Sequence, residues 1–227
     1  MYKIIATVGE EDLEKLETLD SSAIDILEIR LDLFSKQYIK ESLYESLKKW
    51  NKSLLFTYRL KEDSNQKKHT KIKYDYISYL LDFYNSENNY LDIDIIKKDS
   101  IFNRITDSKY TNIYSYHDFN GFPKIEKMKS FINSIKDKNN NPMNIFKFAV
   151  YPSSSEEDCK FLEAGYELSK ENKMILIIMG ERGIYSRIFG DLFGSSFTYA
   201  CLDEPRAPGQ IKGIDILKFR KISGQFK

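Results

Sequence analysis

Eight short runs rich in Ile, Val, Phe and Tyr recur along this chain, at 2–8, 23–30, 53–59, 90–96, 111–116, 144–150, 173–179 and 196–201. Each has the length and the β-branched or aromatic content of a strand. Longer stretches between them carry apolar residues three and four positions apart. Ile39, Leu43 and Leu47 share one helical face, as do Tyr74, Ile77, Leu81 and Tyr84, and Ile125, Met128, Ile132 and Ile135. Ser153 with Glu156, and Ser154 with Glu157, form two candidate capping boxes before a helix at about 155–171. Stretches 61–70 and 136–143 are the least regular, and Asn139-Asn140-Asn141-Pro142 reads as a surface loop. Eight strand–helix units in 227 residues predict an α/β fold, a (β/α)8 TIM barrel filling residues 1–227 as a single domain. An open doubly wound sheet is the alternative. It would use fewer strands and a glycine-rich first turn, and Val8-Gly9-Glu10-Glu11 is not G-x-G-x-x-G.

A barrel of this kind places its chemistry at the carboxyl ends of the strands. Glu28, Arg30 and Asp32 close strand 2, Arg59 closes strand 3, and Asp92 and Asp94 lie on strand 4. His117 follows strand 5, Lys147 lies within strand 6, and Met179-Gly180 closes strand 7. Polar groups thus converge on one mouth from most strands. In Glu28-Ile29-Arg30-Leu31-Asp32 the alternation points three charges to one face. On a barrel strand that face is packed, and unpaired charges there are costly. A solvated edge strand with a ladder of ion pairs is the other reading.

Lys147 sits in the apolar run Ile145-Phe146-Lys147-Phe148-Ala149-Val150. Burial removes water from its ammonium group and lowers its pKa, and a neutral amine is a nucleophile toward carbonyls. A snorkelling lysine with its tip at the strand end is the competing reading. His117, in Ser115-Tyr116-His117-Asp118-Phe119, is placed to move protons, or is simply a turn histidine. The other histidine, His69, stands among lysines and is expected at the surface. Arg187 suits a bidentate clamp on a carboxylate and equally a helix-surface ion pair. Arg206-Ala207-Pro208-Gly209-Gln210 follows strand 8 as a structured loop over the mouth, or as a plain helix-start turn. Gln210 there can orient a substrate oxygen as donor or acceptor.

With 35 Lys plus Arg against 34 Asp plus Glu, the net charge of +1 gives no argument for nucleic acid or an anionic membrane as a partner. No apolar run is long enough to span a bilayer, and the run at Met1–Val8 is too short for a signal peptide. Cys159 and Cys201 form no C-x-x-C motif and imply no disulfide framework. A cytoplasmic location is expected.

Taken in order, these pieces resemble type I 3-dehydroquinate dehydratase, the Schiff-base dehydratase of the shikimate pathway. The matching segments are Glu28-Ile29-Arg30-Leu31-Asp32, Phe56-Thr57-Tyr58-Arg59, Ser115-Tyr116-His117-Asp118-Phe119, Lys147-Phe148-Ala149-Val150, Met179-Gly180 with Ser186-Arg187, Phe193-Gly194-Ser195, and Ala207-Pro208-Gly209-Gln210. They cover nearly the whole chain, and the Ser-Tyr-His-Asp-Phe and Ala-Pro-Gly-Gln pieces are the specific ones. The resemblance implies a barrel that needs no metal or organic cofactor and commonly forms homodimers. It implies that Lys147 forms an imine with the ring ketone of 3-dehydroquinate. His117 then moves the protons and Glu62 orients it. Arg187 would hold the substrate carboxylate, while Glu28, Arg30, Arg59 and Gln210 hold hydroxyls and order the loop.

Four departures accompany the match. The chain is one residue shorter between Arg59 and Glu62, with Asp63-Ser64 in place of glycines. Arg206 stands where the family usually has a substrate-touching serine, and would add a second carboxylate contact or point outward. Asp94 stands for a glutamate, and the chain is expected to lack the N-terminal hairpin that plugs many relatives. The residues themselves leave two other classes open: a class I aldolase-type barrel using the same lysine, and a non-catalytic barrel that binds an acidic metabolite.

Overall fold

The computed structural model describes residues 2–34, 41–47, 50–59, 80, 82–84, 86–94 and 109–224. Its strands are β1 (Lys3–Val8), β2 (Ile26–Arg30), β3 (Ser53–Thr57), β4 (Tyr90–Asp94), β5 (Thr111–Asp118), β6 (Ile145–Val150), β7 (Lys173–Ile178) and β8 (Phe197–Cys201). All start within two residues of the expected positions except β2, which begins at Ile26 rather than at 23; Ala23 instead ends a short 3-10 turn, Ser21–Ala23. They pair in parallel in the order β7-β6-β5-β4-β3-β2-β1-β8, a nearly closed barrel.

Closure runs through Ser195. Among the described residues β7 meets β8 by a single parallel bridge, Met174 to Ser195. The Ser195 hydroxyl accepts from the Leu176 amide at 3.0 Å and donates to the Phe197 carbonyl at 2.9 Å. A side chain thus substitutes for part of the missing ladder.

The described helices are α1 (Glu41–Leu47), α2 (Ile125–Lys136), α3 (Ser155–Ser169), α4 (Ile184–Ile188) and α5 (Gly213–Ile222). The stripe of Met128, Ile132 and Ile135 on α2 is buried against the barrel. On α3 the cap is Ser154, which accepts from the Glu157 amide at 3.2 Å. The Ser153–Glu156 box does not form: Ser153 donates to the Glu157 carboxylate, while Glu156 pairs with Lys160 at 2.6 Å one turn along the helix. Ile39, the segment Tyr74–Leu81 apart from Leu80, the tail of strand 4 beyond Asp94, and stretch 61–70 lie outside the described residues. No described helix is long and apolar enough to cross a membrane.

Strands of such a sheet are buried on both faces, so they read as near-continuous apolar runs. Side chains alternate between the helix layer and the barrel interior. The outward set, including Leu27, Phe56, Phe146, Phe148 and Leu176, packs with helix residues such as Phe161. The inward set is apolar at the amino ends of the strands, where Ile26, Ile113, Ile145, Ile175 and Phe197 cluster. Two residues further along several of these strands the inward positions become polar: Glu28, Ser115 and Lys147. The interior is therefore a packed plug below and a polar cup above.

Candidate active site

Lys147 lies on β6, and its Nζ donates to Asp92 Oδ2 on β4 at 3.1 Å. The same oxygen receives Arg59 Nη2 at 2.7 Å, and Ser115 Oγ donates to the other oxygen at 2.6 Å. Lys147, Arg59 and Asp92 are all buried, so this is a cluster of two cations on one anion away from water. Burial would raise the Asp92 carboxyl, but Arg59 and Lys147 beside it outweigh that and hold it far below the usual carboxylate range. Burial pulls the Lys147 amine below its ordinary value; Asp92 opposes this and Arg59 adds to it. Register sets Lys147 level with Ser115, and Ser115 level with Asp94; Asp92 lies two residues before Asp94 on the same face of β4, and Lys147 reaches back to it across Ser115.

His117 falls inside β5, not after it, because the strand runs on to Asp118. Its Nδ1 is 3.2 Å from Asp94 Oδ2. An ionised carboxylate accepts only, so the proton sits on Nδ1 and the Nε2 lone pair is left as a base. Burial, with Arg59 nearby, lowers the His117 pKa despite Asp94, which keeps the ring neutral. The Phe119 ring stacks beside the imidazole, with centroids 6.5 Å apart.

Glu28 is held by two hydroxyls, Thr7 at 2.7 Å and Thr57 at 2.8 Å. Arg30 ends β2, and the chain then turns through Leu31–Leu33, so Asp32 leaves the strand face. It folds back to grip Arg30 in a bidentate pair at 2.9 and 2.7 Å. The expected row of three charges on one strand face is thus two charges plus a counter-ion. Pairing is what makes their burial tolerable.

Arg187, on α4, is 1 % exposed, which removes the helix-surface reading. It donates to the Tyr199 carbonyl at 3.2 Å and the Pro208 carbonyl at 3.0 Å. Its Nε makes no hydrogen bond to a described residue. Burial pushes its pKa down to about 10. A guanidinium whose partners among the described residues are carbonyl oxygens is poised for an anion.

The loop after β8 is held shut on itself and on β1. Gln210 Oε1 accepts from the amides of Arg206 and Ala207, and its Nε2 donates to Thr7 at 3.0 Å. Gly209 has φ 77°, and a Cβ there would strike the Gly180 carbonyl, so only glycine fits. Arg206 lines the cavity, but its guanidinium is paired with Asp12 at 2.8 Å and with Glu11.

One cavity is lined by Lys147, His117, Glu28, Arg30, Arg59, Arg187, Arg206 and Gln210 together. The sequence-expected residues are therefore brought to one place, with Glu62 outside the described residues. Among the described residues no group of three or more His, Cys, Asp or Glu is placed to hold a metal ion.

A profile of the type I 3-dehydroquinase family matches residues 3–227. The chain belongs to the type I 3-dehydroquinase family. It is 30% identical over 224 residues to a 3-dehydroquinate dehydratase of Thermodesulfovibrio yellowstonii, covering 97% of this chain and 95% of that one. It is 31% identical over 222 residues to that of Methanococcoides burtonii, covering 95% and 91%. A crystal structure of the type I 3-dehydroquinate dehydratase of Clostridium difficile, with covalently modified comenic acid, superposes with a TM-score of 0.79 at 26% identity over 99% of this chain and 93% of that one. The Aquifex aeolicus 3-dehydroquinate dehydratase gives 0.76 at 25% identity, with both chains wholly covered. The barrel is the family's.

Several residues that shape this cavity show little of their partnerships in the sequence. Asp92 and Asp94 stand on strand 4 in the alternation Leu91-Asp92-Ile93-Asp94, which places both carboxylates inside but does not say what they bind. Thr7, Thr57 and Ser115 are ordinary strand residues. Tyr199 and Asp12 carried no signal beyond core and turn.

Proposed function

We propose that this protein dehydrates 3-dehydroquinate to 3-dehydroshikimate and water through an imine on Lys147. The observation that carries the reading is the pairing of a buried amine of lowered pKa with a neutral histidine and a buried arginine in one cavity. The relatives named above support the substrate.

In this reading the substrate carboxylate meets the Arg187 guanidinium, whose carbonyl partners fix its plane. Neutral Lys147 adds to the ring ketone. The ketone oxygen leaves as water, and a protonated imine remains. That cation draws electrons from the neighbouring carbon. His117 Nε2 takes the proton from that carbon, with Asp94 stabilising the imidazolium that forms. The electron pair flows to the imine nitrogen, giving an enamine. His117 then returns its proton to the departing hydroxyl, which leaves as water while the enamine pair forms the new ring double bond and restores the imine. One water hydrolyses the imine and frees Lys147. Two waters leave and one is consumed, so the balance is one water per turnover. Arg59 keeps Asp92 paired when Lys147 is neutral. Glu28, Arg30 and Gln210 frame the hydroxyl side of the ring.

The test is intact-protein mass after incubation with 3-dehydroquinate and borohydride, beside a parallel assay for dehydroshikimate. A single reduced adduct that vanishes in Lys147→Ala, with product in the parallel assay, is expected. Full turnover in Lys147→Ala would end the imine mechanism. A homodimer in the cytoplasm accompanies this reading, and light scattering with cell fractionation checks both.

A further inference from the structure

Lys147 has a neighbour that the steps above do not use. Its Nζ stands 4.1 Å from the centroid of the Tyr199 ring. Tyr199 is on β8, which does not pair with β6, so the contact crosses the barrel interior. The ring is buried and lines the cavity. Its phenol oxygen makes no hydrogen bond to a described residue, so what it presents to the site is its face. The face of an aromatic ring is negative and attracts cations within about 6 Å. Its backbone is held by Arg187, which donates to the Tyr199 carbonyl.

We propose that Tyr199 is a catalytic residue whose ring face stabilises the cationic nitrogen of the protonated imine on Lys147. The inference rests on the imine reading. As the imine forms, the C–N bond is made, the ketone oxygen leaves as water, and one positive charge stays on nitrogen. That nitrogen is the lysine's own, so it remains beside the ring. Burial disfavours this charge, and the ring offsets part of that cost. The charge is lost again when the electron pair arrives from the neighbouring carbon. The ring therefore favours the formation and population of the imine and gives back part of that gain at the proton transfer, where the charge is lost. Burial and the Glu28 and Asp92 carboxylates push the phenol well above its ordinary pKa, so the ring stays neutral.

The test replaces Tyr199 in the whole protein by Phe, then by Phe bearing one, two and three ring fluorines. Fluorine drains the face while changing size little, so folding is preserved. Tyr199→Phe is expected to form the borohydride-trapped imine within about twofold of the native rate, since the face is kept. At pH above the acid limb, where the amine is already neutral, the fluorinated series is expected to slow imine formation stepwise, to about tenfold for three fluorines. The acid limb of the pH profile should move stepwise to lower pH, because the ring also favours the ammonium form. A merely structural role would move neither in step with fluorine number. A native adduct with a flat series overturns the role of the ring alone. A native protein that forms no adduct overturns the imine reading with it.

Discussion

Lys147 and Arg59 share one oxygen, Asp92 Oδ2, at 3.1 and 2.7 Å. The sharing lets the amine lose its proton without leaving a buried carboxylate unpaired, because the guanidinium stays charged throughout. The cluster thus separates two tasks: Arg59 balances the charge, and Lys147 is free to react.

Asp92→Asn removes the counter-charge of both cations. Breaking a buried pair from one side costs about 3–5 kcal/mol, so urea unfolding should show a loss of that order. Asp92 also opposes the lowering of the Lys147 pKa. Without it, the acid limb of imine formation should shift to lower pH; an unmoved limb would mean the carboxylate does not govern the amine.

The pH dependence has a definite sign. Lys147 is reactive when neutral, so the rate of imine formation should rise with pH. Its midpoint should lie below 10.5, the ordinary lysine value, because burial lowers the folded pKa. His117 is lowered from 6.5, so the folded protein binds fewer protons there than the unfolded chain. The stability it contributes is present above pH 6.5 and is lost as pH falls through the folded value. Stopped-flow trapping and denaturation across pH check the two halves.

His117→Ala should still give the reduced adduct while turnover falls by about 10²–10⁴-fold, the usual worth of general acid–base help. Asp94→Asn keeps the imidazole but loses the charge that fixes its tautomer, and should lie between this variant and the native enzyme. Adduct mass and product release, measured together, separate binding from proton transfer. Normal turnover in His117→Ala would remove its role.

Arg187→Gln should raise KM for 3-dehydroquinate by about 10–100-fold, the worth of a hydrogen bond to a charged group. A substrate analogue with the carboxylate replaced by an amide should show no such difference between the two proteins. If it does, the arginine acts through the backbone it holds.

Arg206→Ser should raise KM by about 2–10-fold, because it breaks the nearly buried pair with Asp12 that holds the loop over the mouth rather than a contact to substrate. Asp12→Asn should do the same, and the double variant should add nothing further. Independent effects in that cycle would mean that Arg206 reaches the substrate directly.

The barrel was legible because period-two and helical patterning survive in the residues themselves. Ile145-Phe146-Lys147-Phe148-Ala149-Val150 announces both a central strand and its one inward charge. Partnerships were not legible, because they depend on which atoms register places together. Arg206 reads as a group over the substrate, and only the loop's position reveals Asp12 beneath its guanidinium. His117 reads as a turn residue from its neighbours Asp118 and Asn120, yet pairing with β6 extends the strand past it. Tyr199 is silent in Phe197-Thr198-Tyr199-Ala200-Cys201, where an aromatic means only core. The carboxylate at His117 Nδ1 is Asp94, reached from the adjoining strand, whereas Glu62 lies outside the described residues.

The seam at Ser195 carries one more consequence. Lys147 stands on β6, on one side of the thinly bonded junction between β7 and β8; Gln210 and Arg206 stand on the other. A ligand that reached both the amine and the loop after β8 would lie across that gap like an added stave. Bound substrate should then slow amide exchange at Leu176 and Ser196, the two amides that close the seam; an unchanged rate would mean that the protein alone closes it.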